Sequence, residues 1–290
     1  MPWTRADLPD LTGRRIVVTG ATSGIGEAAA AALAGAGAHL VLAVRDTTRG
    51  ATAAARMTGS TEVRRLDLAD LASVRGFAAG LDGPVDVLIN NAGVMVVPRG
   101  RTVDGFETHI GTNHLGHFAL TNLLLPWITD RVVTVASLAH RFGRVEPIDL
   151  SFHRRRYLRW QAYAQSKLAN LLFTTELARR LSAVNSPVRA VACHPGYSAT
   201  RLGKHTGNAL VTTLLTLGDH LAQDAVAGAQ PTLYAATVDL PSDSYVGPDG
   251  PGEMRGGPRL VGRSGRACDA ALAQALWAAS EELTGTEFPL

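Results

Sequence analysis

A tyrosine and a lysine, Tyr163 and Lys167, stand one helical turn apart in the segment YAQSK. The lysine is unusual for this chain, because only two of its 28 Lys and Arg residues, Lys167 and Lys204, are lysines. An ammonium group is a compact donor of three rotatable hydrogen bonds and fits beneath a phenol, where a planar guanidinium would fit poorly. The pair predicts a phenol that exchanges a proton with a substrate while the ammonium assists it.

A glycine-rich turn, TGATSGIG at residues 19–26, lies between a β-branched run and an alanine-rich run. Its glycines would let a pyrophosphate approach the backbone, and a helix starting there would offer free N–H groups and a positive dipole end. A strand before the turn and a helix after it are the context that such a site requires. The sequence therefore predicts a dinucleotide phosphate site formed by Gly20, Thr22, Ser23, Gly24, Ile25 and Gly26.

Short apolar runs alternate with helical stretches along the chain, which predicts a parallel sheet with helices on both faces. The predicted strands are 15–19, 39–44, 62–66, 85–90, 131–136, 188–194 and 259–261, and the predicted helices are 25–36, 47–57, 71–80, 105–125, 161–182, 223–238 and 267–283. The predicted fold class is α/β, a doubly wound Rossmann-type sheet of about seven strands in a single domain spanning residues 1–290. A substrate lid is expected at 197–219, and a Gly/Pro-rich loop at 246–258.

Composition excludes several other classes of protein. The net charge of +3 is spread along the chain apart from one basic run at 154–156, so no nucleic-acid partner is predicted and a solvated face is the simpler interpretation of that run. No apolar stretch is long enough for a membrane span. Residues 1–11 are polar and broken by two prolines, which predicts no signal peptide and a cytoplasmic protein. Cys193 and Cys268 are expected to be buried free thiols, and the scattered histidines to bind no metal.

The long first gap in the glycine turn, NNAG at 90–93 and the Tyr-Lys pair together resemble the short-chain dehydrogenase/reductase family over about residues 12–284. The resemblance implies that Tyr163 protonates a carbonyl oxygen as hydride arrives from a nicotinamide. Lys167 would lower the pKa of that phenol and hold the nicotinamide ribose. Ser137 would hydrogen-bond the substrate oxygen, and Asn113 would hold a water molecule that relays protons.

The end of the second predicted strand bears on the choice of cofactor. Arg45 offers a bidentate donor to a 2′-phosphate, which favours NADP (NADPH), although the acidic Asp46 follows directly. Asp67 and Leu68 match the family's adenine-contacting positions, but Asp67 could equally cap the helix starting near Asp70. Further cofactor contacts implied by the resemblance are Asn91, Ala92, Gly93, Pro195, Gly196 and Thr200.

Within the family, GVM after NNA, the long segment between Ser137 and Tyr163, and QSKLAN are similar to the branch that contains retinol dehydrogenases, WW-domain oxidoreductases and protochlorophyllide reductases. That branch implies a lipophilic carbonyl or alcohol substrate. Two alternatives remain open, which are a non-enzymatic NADP-binding sensor or scaffold and a C=C reductase on the same fold. A homodimer or homotetramer is also implied by the family.

Overall fold

The computed structural model describes residues 3–197 and 224–290, and these contain one sheet of eight strands in the order β3-β2-β1-β4-β5-β6-β7-β8. Only the last pair, β7 and β8, is antiparallel. The strands are β1 (Arg15–Thr19), β2 (His39–Val44), β3 (Thr61–Arg65), β4 (Val85–Asn90), β5 (Ile128–Val135), β6 (Arg189–Cys193), β7 (Tyr245–Pro248) and β8 (Pro258–Leu260). The predicted α/β doubly wound fold is confirmed.

Helices cover both faces of the sheet. They are α1 (Gly24–Gly35), α2 (Thr47–Ala54), α3 (Leu71–Ala79), α4 (Thr108–Ile110), α5 (Gly116–Leu124), α6 (Arg159–Ala183), α7 (Ala225–Thr237) and α8 (Ala270–Thr284). Four of them begin at an aspartate whose carboxylate accepts a backbone N–H of the first turn, which satisfies a donor that has no partner within the helix. These capping residues are Asp46, Asp70, Asp224 and Asp269.

Alternate side chains of the central strands pack into two separate apolar layers. Val18 of β1 faces the layer formed with α1 and α7, whereas its neighbour Val17 faces the layer that contains Phe118 of α5 and Phe173 of α6. Strands buried on both faces read as continuous apolar runs, which is why the sequence made them easy to recognise.

Two predicted elements differ from the structure. The predicted helix 105–125 is α4 and α5 separated by a π-helical turn, Gly111–Leu115. The predicted loop 246–258 contains β7 and a 3₁₀ turn, Pro251–Glu253, so the sheet has one strand more than the seven expected. β7 is only four residues long and contains Gly247 and Pro248, which are uncommon in strands. The composition of this segment therefore resembled that of a loop.

Further predictions concern the two cysteines, the basic run, the substrate lid and membrane-spanning helices. Cys193 is buried as predicted, but Cys268 is exposed, because it closes a 3₁₀ turn ahead of α8. The basic run is only partly solvated, since Arg155 donates to the Asp149 carboxylate at 3.1 Å and to Gln165 Oε1 at 2.8 Å. The predicted lid, 197–219, lies outside the described residues apart from Tyr197. In residues 3–197 and 224–290, no helix has both the length and the hydropathy needed to cross a bilayer.

Candidate active site

The carboxyl ends of β1, β4, β5 and β6 meet at one edge of the sheet, because these strands run parallel. The chain reverses its direction of strand addition between β1 and β4, and open α/β sheets bind ligands at such switch points. The turns after these four strands carry Gly20, Asn91, Ser137 and Pro195. Four segments that are distant in sequence therefore converge on one crevice.

The glycine turn after β1 packs closely on the loop after β4. Gly20 and Gly24 have φ values of 70° and 59°, a left-handed conformation that glycine adopts without strain. A Cβ on Gly26 would lie 2.3 Å from Asn91 Nδ2 and 2.5 Å from the Gly20 carbonyl oxygen. A Cβ on Gly20 would lie 2.9 Å from Ala92 Cα. A side chain at Gly20 or Gly26 would displace the turn, so these positions have a steric requirement for glycine.

Helix α1 begins directly at this turn. Ser23 precedes the helix, and its side chain makes no capping hydrogen bond. The first N–H groups of a helix have no intrahelical acceptor, and they form the positive end of its dipole. Thr22 and Ser23 are partly exposed beside them, whereas Ile25 is buried against the core. The predicted phosphate-binding residues are therefore assembled at a helix N-terminus whose amides are available for an anion.

Thr19, which the sequence analysis did not single out, joins the glycine turn to the rest of the site. Its Oγ1 accepts the backbone N–H groups of Asn91 and Ala92, both at 2.9 Å, and Asn91 Nδ2 donates to the Thr19 carbonyl at 2.8 Å. Thr19 Oγ1 also lies 2.9 Å from His117 Nε2. His117 Nδ1 donates to the Asn113 carbonyl at 3.0 Å, and burial lowers the pKa of His117 to about 4. The ring is therefore neutral, and Nε2 accepts a hydrogen bond from the Thr19 hydroxyl.

Tyr163 and Lys167 project from α6 into the crevice and are only 7% and 5% exposed. The Tyr163 hydroxyl is hydrogen-bonded to Ser137. Lys167 Nζ donates to the Val135 carbonyl at 3.0 Å and lies 6.0 Å from the centre of the Tyr163 ring. A Cβ on Gly93 would lie 3.6 Å from Lys167 Nζ, so the loop after β4 borders the ammonium. The structure thus brings together Ser137, Tyr163 and Lys167.

Burial controls the pKa of both groups. It raises the pKa of Tyr163, and the hydrogen bond from Ser137 opposes this only in part. It lowers the pKa of Lys167 to about 8. The Lys167 ammonium donates to the Val135 carbonyl rather than to the phenol, and the lowering of the tyrosine pKa by this lysine that the resemblance implies stays a prediction.

Ser137 is held by its neighbours on both sides. Its Oγ accepts the Ala139 N–H at 3.2 Å and so caps the 3₁₀ turn Leu138–Phe142. Its carbonyl accepts a hydrogen bond from His140 Nδ1 at 2.8 Å, while His140 Nε2 accepts one from the Ser264 N–H at 3.2 Å. Burial lowers the pKa of His140, which keeps the ring neutral for this arrangement. A capping role and contact with the Tyr163 hydroxyl therefore coexist in one serine.

Asn113 lies in the π-helical turn, with its side chain fully buried. Its Oδ1 accepts the Val94 N–H at 2.8 Å, and its Nδ2 donates to the Val94 carbonyl at 3.0 Å and to Ser166 Oγ at 2.9 Å. The amide therefore joins the loop after β4 to α6 next to Lys167. Ser166 is a second residue that the sequence analysis missed, although its position beside Lys167 was a usable signal.

Arg45, which the sequence analysis predicts to select the cofactor, lies with Asp46 just after β2. Arg45 is exposed. Asp46 Oδ1 accepts the Arg49 N–H at 3.0 Å and caps α2. Because this carboxylate serves the helix, Asp46 has a structural role that does not require a ribose hydroxyl.

Asp67 and Leu68, the predicted adenine contacts, lie shortly after β3. Asp67 Oδ1 accepts the Ala69 N–H at 3.0 Å, and Asp70 rather than Asp67 caps α3. The alternative role of Asp67 as the cap is therefore wrong. Leu68 is buried, with its carbonyl 2.4 Å from where a Cβ on Gly116 would lie.

The turn after β6 contains Pro195 and Gly196. Gly196 has φ 70°, and its N–H donates to His194 Nδ1 at 3.2 Å. A Cβ on Gly196 would lie 2.4 Å from the Met254 carbonyl oxygen. Thr200 lies outside the described residues. Across the two described ranges, no cluster of three or more His, Cys, Asp or Glu side chains has the arrangement of a metal site.

Comparison with known proteins agrees with this geometry. Residues 14–210 match the family model described as short chain dehydrogenase. The chain is 40% identical to human retinol dehydrogenase 13 over 302 residues, covering 99% of this chain and 88% of that protein. It is 41% identical to mouse polyprenol dehydrogenase over 294 residues, covering 96% and 86%. A crystal structure of an uncharacterized protein from Mycobacterium paratuberculosis has a TM-score of 0.89 and 57% identity, with all of both chains covered.

The family model spans more than half of the chain. The two curated relatives are 40% and 41% identical to the chain in sequence, over nearly its whole length. The crevice contains the glycine turn and the group Ser137, Tyr163 and Lys167. The same residues carry the resemblance to this family in the sequence. The chain therefore belongs to the short-chain dehydrogenase/reductase family of oxidoreductases.

Proposed function

We propose that the chain interconverts a lipophilic aldehyde or ketone and the corresponding alcohol, using NADP(H) and Tyr163 as the proton donor and acceptor. The observation that carries the proposal is the buried Tyr163 hydroxyl, hydrogen-bonded to Ser137 and one helical turn from Lys167. A phenol whose pKa is raised by burial keeps its proton at neutral pH until a developing alkoxide takes it.

The residues present fit a dinucleotide cofactor. Gly20 and Gly26 leave no room for a Cβ, and the uncapped N-terminus of α1 would hold the pyrophosphate. Arg45 would pair with the 2′-phosphate, since a guanidinium matches phosphate geometry and Asp46 is engaged as a helix cap. Lys167 would hold the nicotinamide ribose. When bound, the cofactor supplies or removes the hydride at the carbonyl carbon.

The protein's own groups then manage the proton. Tyr163 Oη gives a proton to the substrate oxygen during reduction and takes it back during oxidation. Ser137 is hydrogen-bonded to the Tyr163 hydroxyl and would hold the substrate oxygen in line with that hydroxyl. The Lys167 ammonium would stabilise the phenolate left on Tyr163, a contribution that grows as negative charge develops.

Apolar side chains next to Tyr163 support a lipophilic substrate. Met95 packs against the Tyr163 cluster, and the Trp160 ring lies 5.8 Å from the Tyr163 ring while remaining 49% exposed. The two curated relatives are named for retinol and polyprenol, which are both lipophilic alcohols.

The test is oxidation of NADPH, with NADH in parallel, by a panel of long-chain and isoprenoid aldehydes and ketones. We expect turnover with NADPH that Tyr163→Phe abolishes without loss of NADPH binding. Tyr234→Phe is the matched control, because this tyrosine packs on Trp3, away from the crevice. An α,β-unsaturated aldehyde in the panel separates carbonyl reduction, which gives the allylic alcohol, from C=C reduction. Tight NADPH binding with no turnover of any substrate would favour a sensor.

A further inference from the structure

Glu253 has a strained backbone in the turn between β7 and β8. Its φ is 59°, in the left-handed region, and it follows Gly252 at φ 63°. A residue with a Cβ is disfavoured in this conformation, whereas glycine is not. Strain of this kind persists only where the surrounding structure enforces it, and it often marks a functional position. A glutamate rather than a glycine at this position therefore suggests that its side chain has a role.

The Glu253 carboxylate contacts two segments of the active site at once. One oxygen accepts a hydrogen bond from Arg141 Nη2 at 2.8 Å, and the other lies 3.2 Å from His194 Nε2. Arg141 belongs to the 3₁₀ turn that Ser137 caps. His194 directly precedes Pro195, at the start of the turn after β6. The carboxylate thus connects the serine segment to the β6 turn.

The tautomer of His194 follows from its partners. Nδ1 accepts a hydrogen bond from the Gly196 N–H at 3.2 Å, so Nε2 carries the ring hydrogen and donates a hydrogen bond to Glu253. Burial lowers the pKa of His194 to about 3, with further lowering from His140 and Arg141, so the ring stays neutral. Hydrogen bonds therefore run from Glu253 through His194 to the backbone of Gly196.

The backbone beside Glu253 holds the same turn from a second direction. The Met254 carbonyl accepts the Tyr197 N–H at 2.8 Å, and it leaves no space for a Cβ on Gly196. The loop itself is braced by hydrogen bonds from the Gly250 N–H to the Arg255 carbonyl at 2.9 Å and from the Asp249 N–H to the Gly257 carbonyl at 2.8 Å. Residues 253 and 254 consequently fix both the side-chain and the main-chain geometry of the segment after β6.

We infer that Glu253 is a positioning residue for hydride transfer, which fixes the Pro195–Gly196 turn relative to Ser137. This inference rests on the proposed function, in which Ser137 holds the substrate oxygen, and on the family resemblance, which implies that Pro195 and Gly196 contact the cofactor. Hydride transfer needs the donor and acceptor carbons at near-contact distance, and a displacement of about 1 Å can reduce the rate by about 100-fold. The phosphate-binding segments at β1 and β2 are separate from this linkage, so cofactor affinity should change little.

The test compares the wild-type chain with Glu253→Ala and Glu253→Gly. The glycine variant removes the carboxylate but suits the left-handed backbone, so it should fold even if the alanine variant does not. We expect kcat to fall by about 10- to 100-fold in both variants, while the Kd for NADPH changes by less than about threefold. Arg141→Ala should lower kcat in the same direction, and its effect should be smaller when Glu253 is already alanine, since the two groups act as one unit.

Glu146→Ala is the matched control. It removes another carboxylate paired with an arginine, Arg144 at 2.6 Å, but has no hydrogen bond to His194. We expect kcat to be that of the wild type. A second readout is the fluorescence of bound NADPH, which reports the surroundings of the nicotinamide and should shift in Glu253→Gly at unchanged Kd.

The outcomes separate this inference from the proposed function. Wild-type kcat and unshifted NADPH fluorescence in Glu253→Gly would overturn the positioning role alone. A matched loss of kcat and NADPH affinity would also overturn it, because that pattern indicates general destabilisation. A wild-type chain that binds NADPH without turnover leaves the fluorescence comparison to decide. A wild-type chain that binds no NADPH would overturn both proposals.

Discussion

Lys167 directs its buried ammonium at the backbone carbonyl of Val135, 3.0 Å away. Among the described residues no carboxylate lies within ion-pair distance of this cation. The pKa of Lys167 is accordingly lowered to about 8 by burial. Charged lysine is less stable in the folded chain than in the unfolded one, so an ammonium at this position carries a cost in stability.

Replacing this lysine should stabilise the fold while it abolishes turnover. Because the folded pKa lies below the unfolded value of about 10.5, the cost is fully present below about pH 8 and vanishes above about pH 10.5. Lys167→Met should therefore raise the free energy of unfolding by up to about 3 kcal/mol at pH 7, a gain that shrinks as the pH rises. The Val135 carbonyl keeps its hydrogen bond from Asn170 Nδ2 at 3.2 Å. Urea unfolding of both proteins at pH 7 and pH 10 measures the difference, and an equal gain at both values would contradict the explanation.

Gly26→Ala should weaken NADPH and NADH binding equally, because the pyrophosphate is common to both. The added Cβ would meet the Gly20 carbonyl oxygen at 2.5 Å, and relief of such overpacking costs about 1–3 kcal/mol. Gly76→Ala is the control, since nothing lies within 4 Å of its Cβ and alanine favours a helix by about 1 kcal/mol. Thermal unfolding and cofactor titration of both variants provide the comparison. Wild-type affinity in Gly26→Ala would show that the turn does not hold the phosphates.

Arg45→Ala should raise the Kd for NADPH by about 10- to 100-fold and leave that for NADH within about threefold. The expected loss corresponds to one charge-assisted pair with the 2′-phosphate, about 1.5–3 kcal/mol. Arg144→Ala, at another exposed arginine, should change neither affinity. Equal weakening for both cofactors would argue that Arg45 contacts a group other than the 2′-phosphate.

Tyr245→Phe should leave stability unchanged or increase it by about 1 kcal/mol. Tyr245 is 2% exposed, and its hydroxyl has no hydrogen-bond partner among the described residues. An unpartnered buried hydroxyl carries a desolvation cost that phenylalanine lacks. The ring contacts to His140 at 5.7 Å and His194 at 5.2 Å would be kept. Chemical denaturation settles the sign, and a loss above about 1 kcal/mol would reveal a partner for the hydroxyl.

The sequence predicted those parts of the fold whose local pattern agrees with their tertiary role. Strands buried on both faces, such as β4, are continuous apolar runs. The candidate catalytic residues Tyr163 and Lys167 follow from spacing along one helix, and Ser137 from its place after a strand. β7 escaped prediction because its burial comes from pairing with β6 and β8 rather than from its own residue types.

The parts that could not be predicted depend on contacts between distant segments. The network from Thr19 through His117 to Asn113 joins positions almost a hundred residues apart, and no local pattern reports it. The direction of the Tyr163 pKa shift also depends on burial in the assembled crevice, which outweighs the hydrogen bond with Ser137. The sequence left Asp67 either as an adenine contact or as the cap of the next helix, and only the start of α3, which Asp70 caps, decides against the second role.

The π-helical turn between α4 and α5 has a consequence for how this segment can change during evolution. His109 contacts the loop after β4, Asn113 contacts Ser166, and His117 contacts Thr19. Adding or removing one residue rotates everything beyond it by about 100° around a helix axis. Side chains here can be exchanged one at a time, but an insertion or deletion would turn His117 away from Thr19. We therefore expect related sequences to align through residues 108–117 without a gap, even where the neighbouring loops vary in length.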